Sequence, residues 1–308
     1  MEFDLNDLIY PLFIKEGSGI REPIETMPNL YRHSPDTVIR EIKECYDWGI
    51  NKFILFGIAK IKDVNGSSAY SEGNLVALTV QSIKKQFPKT TIITDICLCA
   101  YTSHGHCGIL DEASFKRNEE LTQEVLSRMA LSHAAAGADV VAPSAVLSGE
   151  VGAIRHRLDN NGFSDTAIMG YSAKFASNFY GAFRVAVNSS FDANQRRGYQ
   201  HDYNQIDRAL CKVEQDIAQG ADIIMVKPAL SYLDIIAKVK TQFRHKLAAY
   251  NVSGEYAMVK SGAIEGIWNE QKMVYEVLAA IKRAGADLII SYHTKDVARW
   301  QSGEKYVS

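Results

Sequence analysis

Short runs of β-branched and aliphatic residues recur along the chain at Leu8–Ile14, Lys52–Gly57, Thr91–Ile96, Asp139–Ala142, Thr166–Gly170, Ile223–Val226, Leu247–Val252 and Leu288–Tyr292. They read as nearly continuous apolar stretches, the pattern of strands covered on both faces. Longer segments of helical period separate them, clearest at Glu119–Ala136 and Met273–Ala284. Eight such strands with helical crossovers predict an α/β fold, a (β/α)8 TIM barrel, with residues 1–308 as a single domain. An internal echo supports the reading. Ala136-Gly137-Ala138-Asp139, Gln219-Gly220-Ala221-Asp222 and Ala284-Gly285-Ala286-Asp287 each precede a strand, the glycine suiting the left-handed position that ends a helix. Ser144–Asp165, with three glycines and an Asn-Asn pair, reads as partly loop, and the polar stretch Gly181–Tyr203 after the fifth strand reads as a long lid loop.

Composition narrows the function classes. The net charge is −2 with no basic stripe, which argues against nucleic acid and anionic membranes as partners. No apolar run is long enough to span a bilayer, and Met1-Glu2-Phe3-Asp4 does not resemble a signal peptide. Five cysteines form no even framework, which fits a reducing, cytoplasmic setting. Cys45 and Cys211 stand alone in helix-like segments and read as structural.

The other three, Cys97, Cys99 and Cys107, fall within eleven positions, in Asp95-Ile96-Cys97-Leu98-Cys99 and the Gly105 turn beyond it. Residues two apart on a strand share a face. Cys97 and Cys99 can therefore aim at one point, and the turn can return Cys107 to it. Three thiolates at one point make a soft-metal site, zinc first, with a fourth position open. The alternative is three small buried residues of a reduced core. His104 and His106 fit ligand, supporting or plain loop roles equally.

In a barrel of this kind the site lies at the carboxyl ends of the strands. Lys227 directly follows Ile223–Val226, and Lys174 follows the fifth strand. Neighbouring strands bring the two side chains together at the mouth. A free lysine has only roughly one molecule in 2,500 neutral at pH 7. A second ammonium and a dry pocket both favour the uncharged nucleophile. The bland alternative is that each lysine snorkels into solvent. Asp95, two residues before Cys97, faces the same way and can orient an amine or take a proton; the alternative is a carboxylate satisfied by backbone. Ser144, Ser253 and Tyr292 end strands four, seven and eight. Arg184, Arg196 and Gln200 lie on the long loop, where arginine suits a forked contact with a carboxylate, although Arg196-Arg197 also fits a solvated pair.

These residues carry a resemblance. Asp95–Gly108, Tyr171-Ser172-Ala173-Lys174-Phe175-Ala176-Ser177, Met225-Val226-Lys227-Pro228 with Tyr232-Leu233-Asp234, and Val252-Ser253-Gly254-Glu255-Tyr256-Ala257-Met258 closely resemble the porphobilinogen synthase (5-aminolevulinate dehydratase) family, from about Leu8 to Trp300. The resemblance implies condensation of two 5-aminolevulinate molecules to porphobilinogen in tetrapyrrole (haem) synthesis. It implies a Schiff base from Lys227 to one substrate (the A side) and from Lys174 to the other (the P side). It implies Cys97, Cys99 and Cys107 as ligands of one catalytic zinc. Asp95 and Ser144 would lie near the P-side amine, and Ser253 and Tyr292 at the P-side carboxylate. Arg184, Arg196 and Gln200 would clamp the A-side carboxylate, with Phe56 and Phe183 as apolar walls. A one-lysine aldolase and a non-enzymatic zinc-binding descendant are the competing readings.

Three departures from the family pattern stand out. The N-terminal arm before Leu8 is short, so a homo-oligomer of dimer or hexamer size is expected rather than an octamer. Lys212 stands where many relatives carry a glutamate for an allosteric magnesium, so magnesium activation there is expected to be absent. Ala145 and Ser148 stand where aspartates are common.

Overall fold

The computed structural model describes residues 3–111, 114–188 and 199–303. Its strands are β1 (Leu8–Lys15), β2 (Arg21–Pro23), β3 (Tyr31–His33), β4 (Lys52–Ile58), β5 (Thr91–Ile96), β6 (Val140–Pro143), β7 (Ala167–Lys174), β8 (Ile223–Lys227), β9 (Leu247–Asn251) and β10 (Leu288–Ser291). β1 and β4 to β10 pair in sequence order, all parallel, and β10 returns to β1 through Leu8↔Ile289 and Ile9↔Ile290. This is the expected closed (β/α)8 barrel. The strands are buried along nearly their whole length because the interior lies on one face and the helical layer on the other. Among the described residues no helix is long and apolar enough to cross a membrane.

Three differences from the sequence pattern matter. β2 and β3 form an antiparallel hairpin beside the end of β1, with Phe13 opposite Arg32. Strands of three residues are too short to leave a periodic signature. After α1 (Pro35–Asp47), α2 (Leu75–Gln86) and α3 (Glu119–Ala135), the expected loop Ser144–Asp165 contains a fourth helix, α4 (Glu150–Asn160), entered through Gly149 at φ +77°. The expected lid loop begins as helix α5 (Gly181–Ala186), while residues 189–198 lie outside the described part.

At the amino ends of the strands the repeated Gly-x-Asp unit has a physical role. Gly137, Gly220 and Gly285 take φ of +101°, +94° and +119°, which a side chain adopts only with strain. The aspartate that follows joins its strand to the previous one. The carboxylates of Asp139, Asp222 and Asp287 accept the backbone N–H of Ile92, Ile168 and Leu247 at 2.7, 2.8 and 2.8 Å. Lys84 and Lys240 each pair with the aspartate of their unit, at 2.7 Å to Asp139 and 2.5 Å to Asp287.

Candidate active site

β7 decides the geometry at the opposite end. Gly170 faces Ile224 but Ala173 faces Val226, so β7 carries one extra residue, a bulge at Tyr171-Ser172. The shift sets Lys174 opposite Lys227. The hydrophobic pattern had ended this strand at Gly170. The structure continues it four residues further, where Ala173 and Lys174 pair with β8; at Gly170 itself a Cβ would sit 3.1 Å from Ser172 Oγ and 3.3 Å from Asp216 Oδ2.

Both lysines are buried, Lys174 at 7 % and Lys227 at 5 % exposure, so neither snorkels into solvent. They line one cavity with Asp95, Cys97, Cys99, Cys107, Ser144, Phe56, Phe183, Tyr180 and Gln200. Lys174 Nζ donates to the Ser144 carbonyl at 2.6 Å. Lys227 Nζ lies 4.1 Å from the centre of the Tyr250 ring and 5.2 Å from those of Tyr171, Tyr180 and Phe183. Burial first, and the Lys174 ammonium second, bring the Lys227 pKa down to about 7. Burial raises Asp95 to about 6, against the pull of Lys174, a Ser144 hydrogen bond and Lys227. An amine and a carboxyl that both change charge near neutrality thus share one wall.

The sulfurs of Cys97, Cys99 and Cys107 all lie within 4.8 Å of one another, and all three residues are buried. Three sulfurs about 2.3 Å from a tetrahedral zinc stand about 3.8 Å apart, so the set fits such an ion. The neighbouring thiols, then burial, push the Cys97 thiol well above its ordinary pKa. His104 and His106 support the loop: His104 Nδ1 accepts the His106 N–H at 3.1 Å. Tyr199, which sequence reasoning passed over, brings its hydroxyl to 3.4 Å from Cys107 Sγ and lies under the Arg117 guanidinium at 4.7 Å. Gln200 beside it is buried.

α5 forms one wall of the cavity and is tied down from two directions. Arg32 of β3 donates to the carbonyls of Ala186 and Val185 at 2.6 and 2.7 Å, and pairs with Glu22 of β2. The Ser253 hydroxyl accepts the Phe183 N–H at 3.0 Å and donates to the Phe179 carbonyl at 3.1 Å. The Gly254 beside it is required, because a Cβ would stand 2.7 Å from Phe179 backbone. Phe183 is thereby set edge-on to Phe56, 5.1 Å between centres. Tyr292 lies buried deeper, its hydroxyl 2.9 Å from that of Tyr250. Arg184 sits on α5. Arg196 lies outside the described residues.

The loop of departures is built into the same end. The Ala145 carbonyl accepts from Arg117 at 3.0 Å and the Ser148 carbonyl from Gln123 at 2.7 Å. Lys212, buried on helix α6 (Ile206–Ala218), pairs with Asp216 and lies 3.9 Å from Glu150. Burial lifts Glu150 to about 7.

Fold and site together define an enzyme of the (β/α)8-barrel class with its polar centre at the carboxyl ends of the strands. Comparison with known proteins is more specific. The family model for delta-aminolevulinic acid dehydratase matches residues 1–300, and this chain belongs to that family. The delta-aminolevulinic acid dehydratase of Archaeoglobus fulgidus is 50 % identical over 292 residues, 95 % of this chain and 90 % of that protein. That of Halalkalibacterium halodurans is 46 % identical over 301 residues, 98 % and 91 % of the two chains. The crystal structure of the Toxoplasma gondii enzyme (porphobilinogen synthase), in complex with its reaction product porphobilinogen, superposes with a TM-score of 0.94. It shares 38 % identity, over 99 % of this chain and 89 % of that one.

Proposed function

We propose that this chain condenses two molecules of 5-aminolevulinate into porphobilinogen with loss of two waters, a hydro-lyase step of tetrapyrrole synthesis, residues 1–308 acting as one catalytic domain. Family membership supports the reaction. The observation that carries the assignment of residues is the pair of buried lysines, Lys174 opposite Lys227, in the cavity that also holds three cysteines.

With a pKa near 7, about half of Lys227 is neutral at neutral pH, against roughly one in 2,500 for a free lysine. Its amine attacks the ketone carbon of the A-side substrate, water leaves, and an iminium remains. The Tyr250 ring beneath the nitrogen stabilises that cation. Lys174 does the same for the P-side substrate. The iminium acidifies the adjacent carbon so that a carbon–carbon bond can form between the two. Asp95, which lines the same cavity as Ser144 and both amines, holds and returns the protons at its carboxylate. Ser253 and Tyr292 bind one carboxylate and Arg184, Arg196 and Gln200 the other, so two identical substrates take two different poses. Phe56 and Phe183 keep water out. Zinc is the metal this reading places at Cys97, Cys99 and Cys107, where it would supply a Lewis acid on the A side.

An activating magnesium at the Lys212 position is no part of the reading, because an ammonium already pairs with Asp216 there. Self-association and a cytoplasmic location belong to the same reading and rest on the sequence alone. Borohydride added with 5-aminolevulinate should leave a covalent adduct on Lys227 or Lys174, located by peptide mass spectrometry. Porphobilinogen should form in a colorimetric assay, and a zinc chelator should abolish it. An adduct on neither lysine, or full activity in chelator, overturns the corresponding role.

A further inference from the structure

A second cavity, of about 870 Å³, opens at the same end of the barrel, between the ends of β1 and β4 and the loop that carries the cysteines. Its wall includes Lys15, Glu16, Lys60, Lys62, Thr102 and Asn188. The lysines are not equivalent. Lys15 is paired with Glu22 at 2.5 Å. Lys60 is exposed, with its backbone N–H on Glu16 at 3.2 Å. Lys62 is half-buried, and its ammonium donates to the carbonyl of Asn188 at 2.8 Å. Among the described residues no carboxylate pairs with it. The adjacent Asp63 is engaged elsewhere, by the Ser67 hydroxyl and by the N–H groups of Asn65 and Ser67.

A carbonyl dipole leaves most of a lysine's charge uncompensated, and a carboxylate is the stronger partner for it. The position is joined to the reactive centre. The Asp63 carbonyl accepts the Ser103 N–H at 2.9 Å, which ties the Lys62 segment to the cysteine loop. Nothing in the chemistry described so far uses this cation.

We propose that Lys62 is a further substrate-binding residue, its ammonium taking the carboxylate of an anionic keto acid that enters on the cysteine side of the barrel mouth. The proposal deepens the condensation reading above by naming one more recognition element for the acid group. Recognition of charge predicts discrimination between an acid and its uncharged counterpart. It also predicts that the acid's affinity falls as salt is added.

The test is equilibrium titration of the full chain with 4-oxopentanoate and with 4-oxopentanamide, which share the ketone and differ in charge. Lys62→Met should weaken the acid about tenfold, the scale of one partly desolvated charge pair, and leave the amide unchanged. Lys62→Arg should restore most of the acid's affinity, and the salt dependence should flatten in Lys62→Met. Lys62→Gln serves as a second uncharged variant should the methionine disturb folding, checked by circular dichroism. Equal weakening of acid and amide, or no change in either, overturns the proposal. Titration reads binding whether or not product follows, so failure of the condensation reading registers separately, in the product assay.

Discussion

The two ends of the barrel use charge in opposite ways. At the amino ends, Asp139 and Asp287 each meet a lysine and a backbone N–H, and every contact compensates another. At the carboxyl ends, two ammonium groups, one carboxyl and three thiols are crowded into a buried cavity with too few counter-charges. The first arrangement lowers the free energy of the folded chain. The second raises it, and in doing so moves Lys227 and Asp95 to pKa values where they exchange protons near neutral pH. One scaffold thus separates a stabilising rim from a reactive one, as barrel architecture allows.

The sharpest way to break the contrast is Lys227→Met. Porphobilinogen formation should fall by about 10³-fold or more, the scale of losing a covalent nucleophile. The melting temperature should hold or rise at pH 7, since a buried amine with a depressed pKa costs stability there. The sign follows from linkage. The unfolded chain binds this proton below about pH 10.4 and the folded chain only below about 7, so wild-type stability climbs as pH rises between those values. The melting difference between the two proteins should therefore narrow toward pH 10.

Next in size is Cys99→Ser, expected to lower zinc content by atomic absorption and activity by about 100-fold. Unchanged metal content would return the cysteines to the role of a buried reduced cluster.

A smaller effect is expected from Lys174→Met, read as the rate of borohydride-trapped adduct on Lys227. Trapping in the wild type should decline as pH falls below about 7. Removing the neighbouring ammonium takes away one of the forces that lower the Lys227 pKa, so the decline should begin at higher pH in the variant. A profile that stays in place would mean burial alone sets the value.

The smallest effect on catalysis belongs at the other rim. Asp287→Ala strips the Leu247 N–H and Lys240 of a partner and should cost about 1–2 kcal/mol in denaturant unfolding, with kcat/KM unchanged. A large loss of activity without loss of stability would erase the division between the ends.

Legibility in the sequence followed distance along the chain. The eight barrel strands, the Gly-x-Asp units and the Cys97–Cys107 cluster are local patterns, and the structure holds each of them together. The levels of Lys174 and Lys227 were readable from the strands that precede them, but their register was not, because it depends on a bulge at Tyr171-Ser172. Arg32 on the α5 carbonyls joins segments more than 150 residues apart, and Tyr199 on Cys107 joins segments 92 apart. Neither leaves a periodic trace.

The amino-acid order alone determined the kind of fold, the cysteine cluster and the strand ends where the lysines stand, because each follows from contacts made within a few tens of residues. Closure of the barrel decided the rest. It set Tyr250 beneath Lys227, pinned α5 over the cavity through Arg32 and Ser253, and left Lys62 with a carbonyl for a partner. Such contacts depend on how distant segments meet in space, and that relation exists only once the chain has closed.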